Sequence, residues 1–376
     1  MNRTKNHNIS LVLKIVYEFG PISRKEISRL TQLTPGTITN LTGELLQEGI
    51  LTETTNRPTV SSVGRREIFL DIMPKSHCVA AIHVARNKLS CAVMDLRGTI
   101  LERRDVALSS PSLEVLLEHI EGFLSSTAYR NSIMGIGVGY YGPSVGNVPF
   151  MLEPRPYQNW LGSDLALAVH ETTGVPVQVG NNVQNMALAE KLFGDSKHVS
   201  ESLLLYADVG VGGGLILGGE PSHLGHVEVG HMSVDINGPT CWCGNRGCVE
   251  LYTGEQFIVD KARLAAPELF ASQEITFNQL LRMDNEKSIR TLLDDAAKIL
   301  GTAVVNTLHV VSVEEVVLCG RVFQNQRVFD GLLNTIQHVL PVSDGNMVRR
   351  SSIPVENIGL IGAGSLAIYH YVIHKE

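Results

Sequence analysis

A chain of 376 residues with 44% apolar and 18% charged side chains is ordinary globular material, too long for one core and too apolar for disorder. No apolar run approaches the roughly 18–20 residues of a bilayer crossing, and the polar, basic start MNRTKNHNIS is a poor signal peptide, so the cytoplasm is expected and no membrane partner. Net charge is −7, but residues 1–70 hold nine Lys/Arg against six Glu, a net +3 that leaves −10 for the rest. A basic head on an acidic body is the asymmetry of a DNA-binding module joined to something else.

Ile9, Val12, Leu13, Val16 and Phe19 fall at helical spacing, and Gly20-Pro21 ends that run. A second helix over Ser23–Leu30 opens with a capping box, Ser23 with Glu26, flanked by Ile22 and Ile27 as a hydrophobic staple. A third begins with Thr34 as cap and Pro35 at its first position, buries Ile38, Leu41, Leu45 and Leu46, and stops at Gly49. Three short helices with a brief turn before the last predict a helix-turn-helix whose third helix enters the major groove. Leu51–Thr54 and Glu67–Ile72 read as strands around a loop carrying Arg57, Arg65 and Arg66, a wing suited to phosphates or the minor groove. With Arg24, Pro35, Gly36, Thr37, Thr39 and Asn40, those arginines form the expected contacts to double-stranded operator DNA; hydroxyls meet bases or phosphates, and an Asn pairs bidentately with adenine. The alternative, a tri-helical interaction module without DNA, leaves the wing and the basic excess unexplained.

From about Ser76, strand-like runs at 77–84, 88–95, 135–140, 175–179, 202–206 and 313–318 alternate with helical segments at 113–126, 165–172, 183–193 and 292–309. This alternation predicts an α/β body of two lobes. The expected domains are 1–72 (head), 73–180 (first lobe) and 181–376 (second lobe, its last helix packing back on the first), with glycine-bearing turns near Gly180 and Gly359–Gly364 as hinges.

Three of six cysteines crowd into Cys241-Trp-Cys243-Gly-Asn-Arg-Gly-Cys248, with His231 ten residues upstream. Three thiolates and one imidazole would complete a closed tetrahedral zinc site, and Gly244 and Gly247 let the backbone fold tightly enough for the sulfurs to converge. Free buried thiols are the alternative.

The stretch Glu228-Val-Gly-His231…Cys241-Trp-Cys-Gly-Asn-Arg-Gly-Cys-Val-Glu250 resembles the signature region of the ROK family (repressors, open reading frames and kinases). Gly210-Val-Gly-Gly-Gly-Leu matches that family's glycine-rich turn, Asn181-Asn-Val-Gln-Asn-Met-Ala-Leu-Ala-Glu190 its sugar-site segment, and Leu300-Gly…Asn306 its late helix. With the head, the chain resembles the family's xylose-repressor and N-acetylglucosamine-repressor branch. The resemblance implies a winged helix-turn-helix plus a two-lobed sugar-kinase-like fold (actin-like ATPase, RNase H-like). It also implies a structural zinc on His231, Cys241, Cys243 and Cys248, a sugar or sugar phosphate held by Asn181, Asn182, Glu228, His231 and Glu250, and a homodimer or homotetramer.

Kinase chemistry needs a base beside the attacking hydroxyl and glycine-rich turns around the phosphates. By the resemblance the base position is Asn182, the first phosphate loop is His83-Val-Ala-Arg-Asn87, the second is Asp208-Val209, and the last nucleotide loop is Cys319-Gly-Arg321. All four depart from the kinase pattern, so no catalytic residue is expected. The expected function is a sugar-responsive repressor of carbohydrate genes; the alternatives are an active kinase with an accessory head, and a regulator controlled by a protein partner.

Overall fold

The computed structural model describes residues 2–55, 67–85, 88–108, 112–141, 162–222, 227–271, 274–340 and 347–375. Arg57, Arg65 and Arg66 lie outside the described residues, as does Asn87.

The head runs α1 (Asn2–Phe19), β1 (Ile22–Ser23), α2 (Arg24–Thr31), α3 (Pro35–Gln47), β2 (Leu51–Thr54) and β3 (Phe69–Ile72). Local chemistry sets these bounds. Ser23 Oγ accepts from the Glu26 N–H at 3.3 Å while the Glu26 carboxylate accepts from the Ser23 N–H at 3.4 Å, a complete capping box on α2. Thr34 accepts from the Thr37 N–H at 3.2 Å, and Gly49 at φ 72° lets the Ile50 N–H reach back to the Leu45 carbonyl, closing α3. The wing strands pair antiparallel with Leu51 opposite Ile72, and β1 adds itself to the other edge of β3.

The first lobe adds β4 (Cys78–Ala85), β5 (Lys88–Asp95), β6 (Ile100–Ala107), α4 (Leu113–Ser126), β7 (Ile133–Tyr140), α5 (Gly162–Thr173), β8 (Val177–Asn181) and α6 (Asn182–Phe193). The second adds β9 (Ser202–Ala207), β10 (Val211–Leu217), β11 (Glu220–Pro221), α7 (Glu250–Thr253), α8 (Glu255–Ala265), α9 (Pro267–Phe270), α10 (Phe277–Leu280), α11 (Lys287–Leu308), β12 (Glu315–Cys319), α12 (Gln326–Val339), β13 (Val348–Arg350) and α13 (Val355–Ile368). The two sheets share one topology. Orders β6-β5-β4-β7-β8 and β11-β10-β9-β12-β13 each place three antiparallel strands beside two parallel ones.

The described residues divide into two compact units, one running to His198 and resuming at Asn357, the other covering 199–356. The first unit passes the expected boundary at 180 because α6 buries Leu188 and Leu192 in the core that the head uses. That core joins Val12, Leu13, Val16, Ile27, Ile38 and Leu45 of the head to Val79, Met94 and Leu96 of β4–β5 and to Ile368, Val372 and Ile373 near the C-terminus. The head therefore has no closed core of its own but shares this cluster with one face of the first lobe, which buries a separate cluster around Ile82, Cys91, Leu116 and Val138. Polar contacts follow the same seam: Tyr17 Oη donates to the Leu96 carbonyl at 3.0 Å, Arg97 pairs with Asp71, and Lys375 pairs with Glu48 at 2.7 Å.

Two expectations are corrected. Gly180 lies in β8, and Gly359, Gly362 and Gly364 lie in α13, so these are regular elements and not turns. They are packing positions: a Cβ on Gly359 would meet the His83 ring at 2.6 Å, and one on neighbouring-strand Gly137 would meet the Ala363 carbonyl oxygen at 1.8 Å. The glycine run 210–214, expected as a turn, lies mostly in β10, paired with β9 from Val211 to Ile216. Glycine is needed there because segment 227–230 lies against the strand, with a Gly213 Cβ falling 2.7 Å from Val229 and a Gly230 Cβ 2.1 Å from the Val211 oxygen.

Candidate metal and ligand site

The site of the second unit is built on β10 and on a short loop that folds back upon it. A 3-10 turn, Val229–His231, follows the close approach to β10. The chain then returns as a small hairpin, with bridges Ser233↔Cys248 and Thr240↔Arg246, and enters α7 at Glu250. Gly244 at φ 88° and Gly247 at φ 60° make the two tight bends; a Cβ at 247 would sit 1.9 Å from the Asp235 oxygen.

This path brings His231, Cys241, Cys243 and Cys248 together, with their donor atoms all within 4.8 Å of one another. His231 Nδ1 lies 3.6 Å from Cys241 Sγ, and Cys243 Sγ lies 3.6 Å from Cys248 Sγ. A tetrahedral zinc with bonds of about 2.0–2.3 Å has ligand–ligand edges of roughly 3.5–3.8 Å. The thiols are unbridged, and the sulfur separation far exceeds a disulfide bond of about 2.05 Å. Burial pushes the Cys241 thiol up, and burial with neighbouring thiol contacts pushes Cys248 well above the thiol range. Three crowded sulfurs become thiolates when a cation neutralises them, so the donor set fits a soft divalent metal.

The other face of His231 points elsewhere. Its Nε2 lies 4.0 Å from Glu228 Oε2, on a half-exposed carboxylate. Glu250 is buried at 6% exposure; Oε2 accepts the Val211 N–H at 3.1 Å and Oε1 the Trp242 indole N–H at 3.3 Å. Trp242 was not singled out by the sequence reading, although its place inside C-x-C was visible.

Asn181 and Asn182 belong to the first unit. Asn181 Oδ1 caps α6 by accepting from the Val183 and Gln184 N–H groups at 2.9 and 3.2 Å, and Asn182 is the buried first residue of that helix. Of the expected DNA contacts, Pro35, Gly36, Thr39 and Asn40 are exposed along the start of α3, and Thr37 is half-buried with its hydroxyl 2.9 Å from that of Thr34. Arg24 is engaged within the head, donating to Thr42 Oγ1 at 2.9 Å and pairing with Glu53 at 2.9 Å.

The positions that the resemblance assigned to nucleotide are filled by protein. Asp208, 3% exposed, takes the Arg321 guanidinium bidentately and the Arg321 N–H at 2.9 Å; Glu255 takes Arg321 from another side at 2.8 Å. His83 is packed against Gly359, with its Nε2 unpartnered among the described residues.

A capped helix-turn-helix with a three-stranded sheet, joined to two lobes of matching topology with a His/Cys cluster in the second, defines a DNA-reading head on a sugar-kinase-like body. The chain belongs to the ROK family, whose model matches residues 79–369. It is similar to the xylose repressor of Bacillus subtilis (strain 168), 27% identical over 98% of this chain and 96% of that one. Among solved structures it resembles a ROK family transcriptional regulator homologous to the Escherichia coli Mlc protein, with TM-score 0.81 and 25% identity over 99% of this chain and 97% of that one. The ROK hexokinase of Thermus thermophilus shares the body's fold, with TM-score 0.65 and 24% identity over 78% of this chain and 98% of that one. Among the described residues no helix is long and apolar enough to cross a membrane.

Proposed function

We propose that this chain is a sugar-responsive transcriptional repressor of carbohydrate genes. One observation carries the reading: α3 presents Pro35, Gly36, Thr39 and Asn40 to solvent from a head whose α2 and α3 carry side-chain caps, in a chain that matches a named repressor along 98% of its own length. Two such heads in a homodimer or homotetramer would read half-sites about one helical turn, or a multiple, apart. Arg24 orders α2 against α3 and β2, and base reading falls to Thr37, Thr39 and Asn40; wing arginines 57, 65 and 66 would add phosphate contacts.

In the body, His231 Nδ1 and the three cysteine sulfurs would hold a structural zinc. When bound it supplies a fixed crosslink, since all four positions are protein atoms. Glu228, His231 Nε2 and Glu250 form the sugar-facing group of the second unit, where carboxylates accept from paired hydroxyls; in the first unit the amides of Asn181 and Asn182 are candidate sugar contacts. A sugar or sugar phosphate that binds one state about a hundredfold more tightly supplies roughly 2.7 kcal/mol of coupling, enough to loosen operator binding.

The kinase alternative is disfavoured because Asp208 and Glu255 put two carboxylates around Arg321 where phosphates would need free donors. The test is to enrich duplexes from a random library with the full chain and to measure their release by D-xylose, D-glucose, N-acetylglucosamine and their phosphates. Asn40→Ala should weaken the selected duplex about 10- to 100-fold without changing thermal stability. No enriched duplex, or sugar-dependent ATP turnover at enzymatic rates, would overturn the reading.

A further inference from the structure

Trp242 lies between two metal-ligating cysteines yet reaches past them. Its ring meets the His231 imidazole edge to face, centroids 4.6 Å apart and planes at 82°. Its indole N–H ends on Glu250 Oε1 at 3.3 Å. The opposite oxygen of that carboxylate is held by the Val211 N–H, and the carbonyl of the same Val211 is the surface against which Gly230 packs, next to His231. One side chain thus touches both a ligand of the metal cluster and a buried carboxylate eight residues away in sequence. A phenyl ring would fill the same space. Only the indole N–H makes the bond to Glu250.

We propose that Trp242 is a positioning residue that couples cation occupancy at His231, Cys241, Cys243 and Cys248 to the placement of Glu250. For its effector half this rests on the reading of Glu250 as a sugar contact; its metal half stands on the geometry alone. With the cation bound, loop 241–248 is tied at its thiolates and the indole is pinned against the imidazole. Release of the cation frees the loop, and the indole N–H then no longer holds the Glu250 oxygen in place. Linkage makes the effect reciprocal: a ligand bound at Glu250 must alter metal affinity by the factor by which the metal alters that ligand's affinity.

The experiment is a double-mutant cycle on the full chain, with zinc affinity measured by competition against a chromophoric chelator. The four proteins are the unmodified chain, Trp242→Phe, Glu250→Ala and the double variant. Glu250→Ala should weaken zinc by roughly threefold or more in the chain that keeps Trp242, and by far less beside Trp242→Phe. Glu250→Gln, which keeps the volume, serves the same cycle if the alanine variant fails to fold. Equal effects in both backgrounds, or none in either, overturn the coupling. A titration with D-xylose, D-glucose and N-acetylglucosamine forms a second arm, in which Trp242→Phe should raise the Kd of whichever sugar binds. If the unmodified chain binds none of them, the sugar assignment of Glu250 fails, while the zinc cycle still decides the role of Trp242.

Discussion

Asp208 and Arg321, 113 residues apart in sequence, form a bidentate ion pair at the ends of β9 and β12, closed by a further bond from the Arg321 backbone N–H to the same carboxylate. Arg321 also stacks over Phe277 at 5.0 Å and pairs with Glu255. Its two carboxylate partners raise the guanidinium pKa further above its already high value against the opposing pull of burial. Removing one member of such a buried pair leaves an uncompensated charge, whereas removing both leaves little to compensate.

Arg321→Ala should therefore lower stability by about 3–5 kcal/mol. Asp208→Asn with Arg321→Met should recover much of that loss. Thermal or urea unfolding of the second unit, followed by Trp242 emission in a Trp160→Phe background, reads both; an additive double variant would contradict the pairing.

Cys248→Ser should abolish stoichiometric zinc, because the buried sulfur is one of only four donors and a neutral hydroxyl is a poor replacement for a thiolate. Zinc content by atomic absorption gives the answer. The helical signal of the head should persist, since its caps and core contain none of these residues.

Tyr17 joins head to first lobe twice, through its bond to the Leu96 carbonyl and its edge-to-face contact with Phe193 at 6.3 Å. Burial holds the phenol far above its ordinary pKa, so it stays a donor throughout the physiological range. Tyr17→Phe strands a carbonyl and should cost about 1–3 kcal/mol. An isolated fragment 1–75 should melt well below the head in the full chain, because it lacks Leu96, Leu188, Leu192, Ile368 and Val372; equal melting temperatures would contradict a shared core.

His83 carries a pH dependence. Burial, followed by the charges of Lys88 and Arg103, lowers its pKa from 6.5 to about 4. Between these values the unfolded chain takes up a proton that the folded chain refuses, so stability is complete above about 6.5 and falls as pH drops toward about 4. The loss is on the order of 3 kcal/mol. His83→Gln should flatten this part of the stability–pH curve; an unchanged slope would assign it to other groups.

Features written in short stretches of chain were legible before the fold was known. Ser23 with Glu26, Thr34 with Pro35 and the stop at Gly49 are decided within four residues, by which orphan N–H or C=O a nearby side chain can reach. The His/Cys cluster was legible for the same reason, since all four residues fall within eighteen positions and the glycines announce the bends. Alternating apolar runs locate most strands, but β10 hides behind glycines that answer to the Val227–Gly230 segment, a neighbour that no periodicity reveals.

What the chain's order of residues settled by itself was the capped head, the His/Cys loop and the alternation of strand and helix, because each is a matter of near neighbours. Tertiary structure alone decided that the head's core continues into the first lobe, that both sheets repeat one strand order, and that Arg321 meets Asp208. These depend on contacts between distant segments, chosen by burial and charge pairing once the elements have packed.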